Sequence, residues 1–342
     1  MKQLTFITAL IAVLFLHQTT KAQTNSDSIY TVEQALKMVA FPEPEFKQLY
    51  VNANLSPKTI ADMGFEQPNK SVAVKFKMRD GATIHAAKYE LESNKTIILV
   101  HGTLANSYTY NKMSGLLRES VGAEVITIDL RGHGQSEGTP GDISTLNQYA
   151  EDLEDVIYSI KKNRPGQKII LAGHSMGGGI VLRHKETFPE TEIAAYLLFA
   201  PNLGNNAPTT RTDLDLKNNF IKSHLSRGLG IRMLNEFGIH KYDSLKVVFY
   251  NLPPQMPLRS YSYRSMQAAI PIDYKHAIQS IDKPLIVLVG GADEAFIAEE
   301  YVPLFHAYSK GECHIIRDET HNGIRHNHKA MELIGLWAEK GL

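Results

Sequence analysis

Short apolar runs recur along the chain, separated by longer amphipathic stretches. Thr96 to Val100, Val125 to Ile128, Ile169 to Ala172, Ala194 to Ala200 and Pro284 to Val289 lack the in-out alternation of a half-exposed strand. Such runs predict strands buried on both faces, as in a parallel sheet. Over 145–163, Leu146, Tyr149, Leu153, Val156, Ile157 and Ile160 share one helical face, and Glu151, Asp152, Glu154 and Asp155 fall opposite. This predicts an amphipathic helix whose acids form its wet side and need no metal. Ser71 to Met78 and Ala82 to Tyr89, joined at Arg79-Asp80-Gly81, predict a hairpin ahead of the first buried run. The alternation of strand and helix predicts an α/β fold with a mostly parallel central sheet and helices on both faces.

Three segments break the alternation. Residues 23–70 carry Pro42, Pro44, Pro57 and Pro68 between apolar pieces such as Val32 to Val39, which predicts an N-terminal extension with helical pieces. The stretch between Ala200 and Pro284 is too long for a simple crossover, so 203–275 is expected to form a cap inserted into a core of 71–202 and 276–342. Leu4 to Leu16 is apolar, follows Lys2, and is too short to span a bilayer comfortably. Thr20-Lys21-Ala22 supplies small residues at both recognition positions, so 1–22 reads as a signal peptide cleaved before Gln23. Export to the periplasm or beyond is expected, with no stable membrane span after cleavage.

Composition narrows the classes. With 342 residues, 43% of them hydrophobic, a large core is within reach. Lys and Arg (36) balance Asp and Glu (36), so no general field draws in nucleic acid or anionic membrane. The only cysteine, Cys313, excludes an intramolecular disulfide and reads as a buried strand residue.

The chemistry centres on Gly173-His174-Ser175-Met176-Gly177, which follows a buried strand and opens a helical segment. A strand that turns sharply into a helix lifts the central serine onto a strained corner, with glycines where a Cβ would strike its neighbours. Ser175 is therefore the candidate nucleophile. Partners are expected in the order acid, then histidine. Asp293 lies just after the run Pro284 to Val289, with Glu294 as the alternative acid, and His321 lies in the loop after Cys313 to Arg317. His306, His314, His326 and His328 fall inside or beside predicted helices or strands and are set aside. His326-Asn327-His328 has no further ligand at a recognisable metal spacing. The oxyanion donors are expected to be the backbone N–H groups of Met176 and Thr103, with Leu104 in reserve, while His101 holds the loop locally. Gly132-His133-Gly134 misses the dinucleotide fingerprint by one residue, no phosphate loop occurs, and no cofactor is expected.

With His101-Gly102, Asp129 to Ser136, Gly173 to Gly178, Asp293 and His321 in this order, the chain resembles the α/β-hydrolase superfamily over about residues 72–340. Within it, the chain is similar to the monoacylglycerol lipase, lysophospholipase and serine aminopeptidase-like group. The resemblance implies a serine hydrolase acting on a small acyl ester or lipid through an acyl-enzyme, exported on the reading of 1–22. Asp129, which precedes Ser175, is expected to be structural. An aminopeptidase or thioesterase of the same fold, or a catalytically silent binding protein, are the alternatives. In the cap, 205–272 holds nine Lys or Arg against four Asp or Glu. Leu225, Leu229, Ile231, Met233, Leu234 and Phe237 offer an apolar wall, a mixture suited to an acyl chain with an anionic head group. Arg259 to Arg264 alternates charge and aromatic residues and reads as a strand or turn.

Overall fold

The computed structural model describes residues 30–49, 56–211 and 219–342. The expected signal peptide, 1–22, lies outside the described residues. Two short helices, α1 (Val32–Val39) and α2 (Pro57–Asp62), precede the expected hairpin of β1 (Val72–Lys77) and β2 (Thr83–Tyr89). Strands and helices then alternate through β3 (Lys95–Val100), α3 (Asn111–Val121), β4 (Glu124–Ile128), α4 (Gln148–Asn163), β5 (Lys168–His174), α5 (Met176–Thr187) and β6 (Ala195–Phe199). A segment of smaller elements follows: β7 (Ile221–Ser223), α6 (Leu225–Glu236), β8 (Lys246–Tyr250), β9 (Ser260–Ser262), α7 (Tyr263–Ala268) and α8 (Tyr274–Gln279). The chain closes with β10 (Leu285–Gly290), α9 (Tyr301–Tyr308), β11 (Glu312–Ile316) and α10 (His328–Gly341).

One eight-stranded sheet runs in the order β1-β2-β4-β3-β5-β6-β10-β11. Only β2 pairs antiparallel with its neighbours β1 and β4, and every other pairing is parallel. This is the α/β-hydrolase fold. The central strands are buried along most of their length because helices cover both faces, which explains why they read as unbroken apolar runs. One face carries α4 and α5 through Tyr149, Leu153, Val156 and Ile180. The other carries α3 and α10 through Met113, Leu117, Ile334 and Trp337. No helix among the described residues is long and apolar enough to cross a membrane.

The N-terminal extension is integrated into this body. A capping box, Thr31 with Gln34, starts α1. Ala35 and Val39 pack into the same cluster as Ile231, Met233 and Leu234 of α6. Gly230 lets the two helices approach, since a Cβ there would lie 2.7 Å from the Ala35 carbonyl oxygen. Three residues of the apolar wall read from the sequence, Ile231, Met233 and Leu234, are thus buried, while Leu225 is 73% exposed. Further on, Lys58 of α2 reaches Glu319 at 2.6 Å, and the Thr320 hydroxyl lies 3.2 Å from Asp62. The extension therefore touches both the inserted segment and the loop that carries His321.

The sequence reading placed Asp152 on the wet face of its helix, and the structure buries it. Its carboxylate accepts two hydrogen bonds from Arg131, at 2.6 and 2.9 Å, and both side chains are at most 8% exposed. Periodicity counted Asp152 by charge, but a buried guanidinium from another element makes that position polar core. Leu146 departs in the other direction, lying before α4 begins and 39% exposed. Replacing Asp152 with Ala strands the Arg131 charge beside only the half-exposed Asp80. We expect a loss of about 3 kcal/mol in urea-unfolding stability, as for other broken buried pairs. Loss below about 1 kcal/mol would contradict this account.

Candidate active site

Ser175 occupies the corner between β5 and α5 with φ 55° and ψ −119°, a left-handed backbone that costs an L-residue about 1–3 kcal/mol. Surrounding bonds impose it. The Ser175 N–H donates to the Phe199 carbonyl at 2.9 Å, and the Ser175 carbonyl accepts from Gly178 and Asn202, both at 3.0 Å. A side chain at Gly177 would collide with the Val100 carbonyl, and one at Gly173 with Gly177 itself. The glycines of the motif thus permit close packing of helix on strand.

Asp293 and His321, 28 residues apart and each just beyond a strand end, meet at 2.8 Å between Oδ2 and Nδ1. The other carboxylate oxygen, Oδ1, accepts the N–H groups of Ala295 and Phe296 at 2.8 and 2.9 Å. A carboxylate can only accept, so Nδ1 of His321 carries the proton and Nε2 keeps its lone pair. Glu294, the alternative acid, does not contact the imidazole; it accepts the His321 backbone N–H at 3.0 Å. Arg211 donates to the Asp293 carbonyl at 3.1 Å and steadies the turn from outside. No hydrogen bond joins Ser175 Oγ to His321 among the described residues. His174, the residue before Ser175, has its ring 4.6 Å from that of His321.

A buried relay ties the base loop to the turn after β3. Gly102 N–H donates to Tyr110 Oη at 2.8 Å, Tyr110 Oη lies 2.6 Å from His174 Nδ1, and His174 Nε2 lies 2.9 Å from the His321 carbonyl. The carbonyl can only accept, so His174 donates from Nε2 and accepts from Tyr110 at Nδ1. A Cβ on Gly102 would stand 3.3 Å from that of Ser175, which places this turn directly against the serine. Sequence reasoning missed Tyr110 and His174. His174 sat inside the motif, but its partners lie 64 and 147 residues away.

Beside it, Leu104 has φ 59° and its N–H is taken by Tyr261 Oη at 2.9 Å. Among the described residues, the Thr103 N–H has no partner, nor does that of Met176 at the first position of α5. Two donors therefore remain open beside Ser175, one of them at a helix N-terminus where the dipole favours negative charge. His101 holds the loop as expected: its Nε2 accepts the Leu130 N–H at 3.1 Å, leaving Nδ1 to donate to the Gly102 carbonyl at 2.8 Å. Asp129 takes the N–H groups of Ser107 and Gln135 at 2.6 and 2.9 Å, a structural placement. Burial pushes the Cys313 thiol up to about 12, which keeps it protonated and unreactive. No group of three or more His, Cys, Asp or Glu among the described residues is placed to hold a metal ion.

With this geometry in place, likeness to known proteins adds a family. The model of the serine aminopeptidase S33 hydrolases matches residues 92–322. The chain belongs to the serine aminopeptidase S33 family. Among curated relatives, a putative chloroplastic methylesterase 11 of Arabidopsis thaliana is 35% identical over 35% of this chain and 30% of its own length. Polyneuridine aldehyde esterase of Rauvolfia serpentina is 34% identical over 32% of this chain and 40% of its own. The chain thus spans well under half of the curated relatives it matches. Solved structures similar in fold include DcsB in complex with a substrate analogue (TM-score 0.59, 16% identity, 80% of this chain and 100% of that one). Est1E of Butyrivibrio proteoclasticus with bound ferulic acid gives 0.56 at 20% identity, over 78% and 99% of the two chains.

The buried imidazoles of this S33 family member have a consequence for stability. Burial holds His101 down at about 4 and His133 at about 3, and holds His174 well below its ordinary value, so all three stay neutral in the folded protein. The unfolded chain takes up their protons as pH falls below 6.5. Their contribution is complete above that value and is lost progressively down to the folded values, at roughly 1.4 kcal/mol per pH unit per group. We expect the urea midpoint to fall steeply from pH 7 to pH 5; a midpoint that is flat or rises over this window would contradict neutral burial.

Proposed function

We propose that this protein is a serine hydrolase that cleaves small carboxylic esters through an acyl-enzyme. Ser175 attacks the ester carbonyl, His321 Nε2 takes its proton, and Asp293 fixes the tautomer and stabilises the imidazolium. The N–H groups of Thr103 and Met176 bind the oxyanion. His321 then returns the proton to the leaving alkoxide, and water releases the acid by the same route. The observation that carries this reading is the His321 imidazole held by Asp293, with Nε2 unengaged among the described residues, together with a serine on a strained strand-to-helix corner. Thr103 is preferred over Leu104 as the second donor because Tyr261 already occupies the Leu104 N–H.

Esters are preferred over peptide N-termini. Binding a free amine calls for unengaged acids in the inserted segment, but among its described residues Asp243 accepts from Asn235 at 2.9 Å and Glu236 lies 4.0 Å from Arg232. Several of its described cations are engaged as well. Arg264 pairs with Asp142, Arg227 with Glu43, Lys222 donates to the Glu45 carbonyl and Lys246 to that of Pro140. That argues for an uncharged ester, a monoacylglycerol or smaller, over a lysophospholipid. The esterase names of the relatives support the same class. Action outside the cytoplasm is part of the proposal, on the strength of the apolar stretch Leu4 to Leu16.

A fluorophosphonate should label the wild-type protein at one site, and Ser175→Ala should abolish the labelling. His321→Ala should lower ester turnover at least a thousandfold, and Asp293→Asn by about 10⁴ through loss of the correct tautomer. Folded wild-type protein that neither labels nor cleaves neutral esters from acetyl to octanoyl would refute the assignment and favour a silent binding protein.

A further inference from the structure

Tyr261 lies on β9 of the inserted segment, yet it is fully buried and reaches into the core. Its ring packs edge-on against Tyr250, with centroids 6.0 Å apart, and lies 5.7 Å from the ring of His133. Its hydroxyl oxygen is 2.9 Å from both the Leu104 nitrogen and His133 Nε2.

The directions of these bonds are fixed. His133 Nδ1 lies 3.0 Å from the Arg131 carbonyl, which can only accept, so Nδ1 holds the proton. The ring is neutral, so Nε2 accepts and the Tyr261 hydroxyl donates to it. A lone pair of the same oxygen then receives the Leu104 N–H. No other arrangement of protons satisfies all three groups, and each bond polarises the next. Leu104 is at the same time a leucine in the left-handed region, a conformation it adopts only when its surroundings require it.

We propose that Tyr261 is a positioning residue, holding the turn 102–104 so that the Thr103 N–H faces the reacting carbonyl. The inserted segment must therefore be seated before an oxyanion can be stabilised. The proposal rests on the serine hydrolase reading above. It makes turnover depend on a contact that none of Ser175, Asp293 or His321 makes. The seating itself is built from several bonds to the core: Ser262 N–H to the Gly141 carbonyl at 2.8 Å, Tyr149 Oη with Ser265 Oγ at 2.9 Å, and Arg264 with Asp142. Loosening these would switch off the oxyanion site while leaving the serine, acid and base in place.

Tyr261→Phe removes the hydroxyl and keeps the ring. Fluorophosphonate titration first counts the competent sites, so that kcat is expressed per labelled protein and any unfolded fraction drops out. Ser309→Ala, which deletes a hydroxyl bond to the Phe305 carbonyl at the end of α9, outside the inserted segment and its seating, is the control. A trifluoromethyl ketone of matched acyl chain reports on tetrahedral oxyanion binding. For Tyr261→Phe we expect kcat per labelled site to fall about tenfold or more, KM to change little, and ketone affinity to fall by the same factor as kcat. Ser309→Ala should match wild type in all three. The proposal is overturned if Tyr261→Phe keeps wild-type kcat and ketone affinity per labelled site, or if Ser309→Ala loses as much. Failure of the wild type itself to label would overturn the parent reading, and this one with it.

Discussion

Everything at the site depends on forcing one serine into a backbone conformation that L-residues avoid. Ser175 is held at φ 55° by its bond to Phe199 on the neighbouring strand and by three donors to its own carbonyl. Those constraints are available only at the carboxyl end of a strand buried on both faces, where β3, β5 and β6 run side by side. The large two-faced core supplies the stability that this strain draws on. Its glycines keep the following helix close enough for the first N–H groups to face the serine.

The second constraint is polar and acts on the turn after β3. Gly102 is tied to the base loop through Tyr110 and His174, and Leu104 to the inserted segment through Tyr261 and His133. Between these two anchored N–H groups stands that of Thr103, with no partner among the described residues. Neutral imidazoles make such relays possible, because each offers one donor and one acceptor in a fixed sense. Protonating His101 would set a second N–H against that of Leu130, and protonating His174 or His133 would turn the facing tyrosine hydroxyl from a donor into an acceptor and break the relay's direction.

Much of the core was legible from sequence because its signals are local. Two-faced burial makes strands read as apolar runs, and the turns at Ser175, Asp293 and His321 follow strand ends directly. The relays were not legible, since Tyr110, His174 and Tyr261 meet partners between 8 and 157 residues away. Asp152 was misread for the same reason: helical periodicity does not reveal that Arg131 arrives from another element. The segment Arg259 to Arg264 read as a strand or turn, but nothing in it showed that β9 carries one of the most buried side chains of the molecule. The extension over 30–70 showed its helix at Val32 to Val39, but nothing local marked its contacts with α6 and with the loop before His321.

The central claim is that the Thr103 and Met176 N–H groups, and not that of Leu104, complete the site around Ser175. A crystal structure of the phosphonylated protein tests it most directly, because the phosphonyl oxygen stands where the oxyanion would. The account predicts that oxygen at about 2.7–3.1 Å from both nitrogens, with the bond from Leu104 to Tyr261 intact. An oxygen bound instead to the Leu104 N–H, with Tyr261 displaced, or a phosphonyl group on any residue other than Ser175, would contradict it.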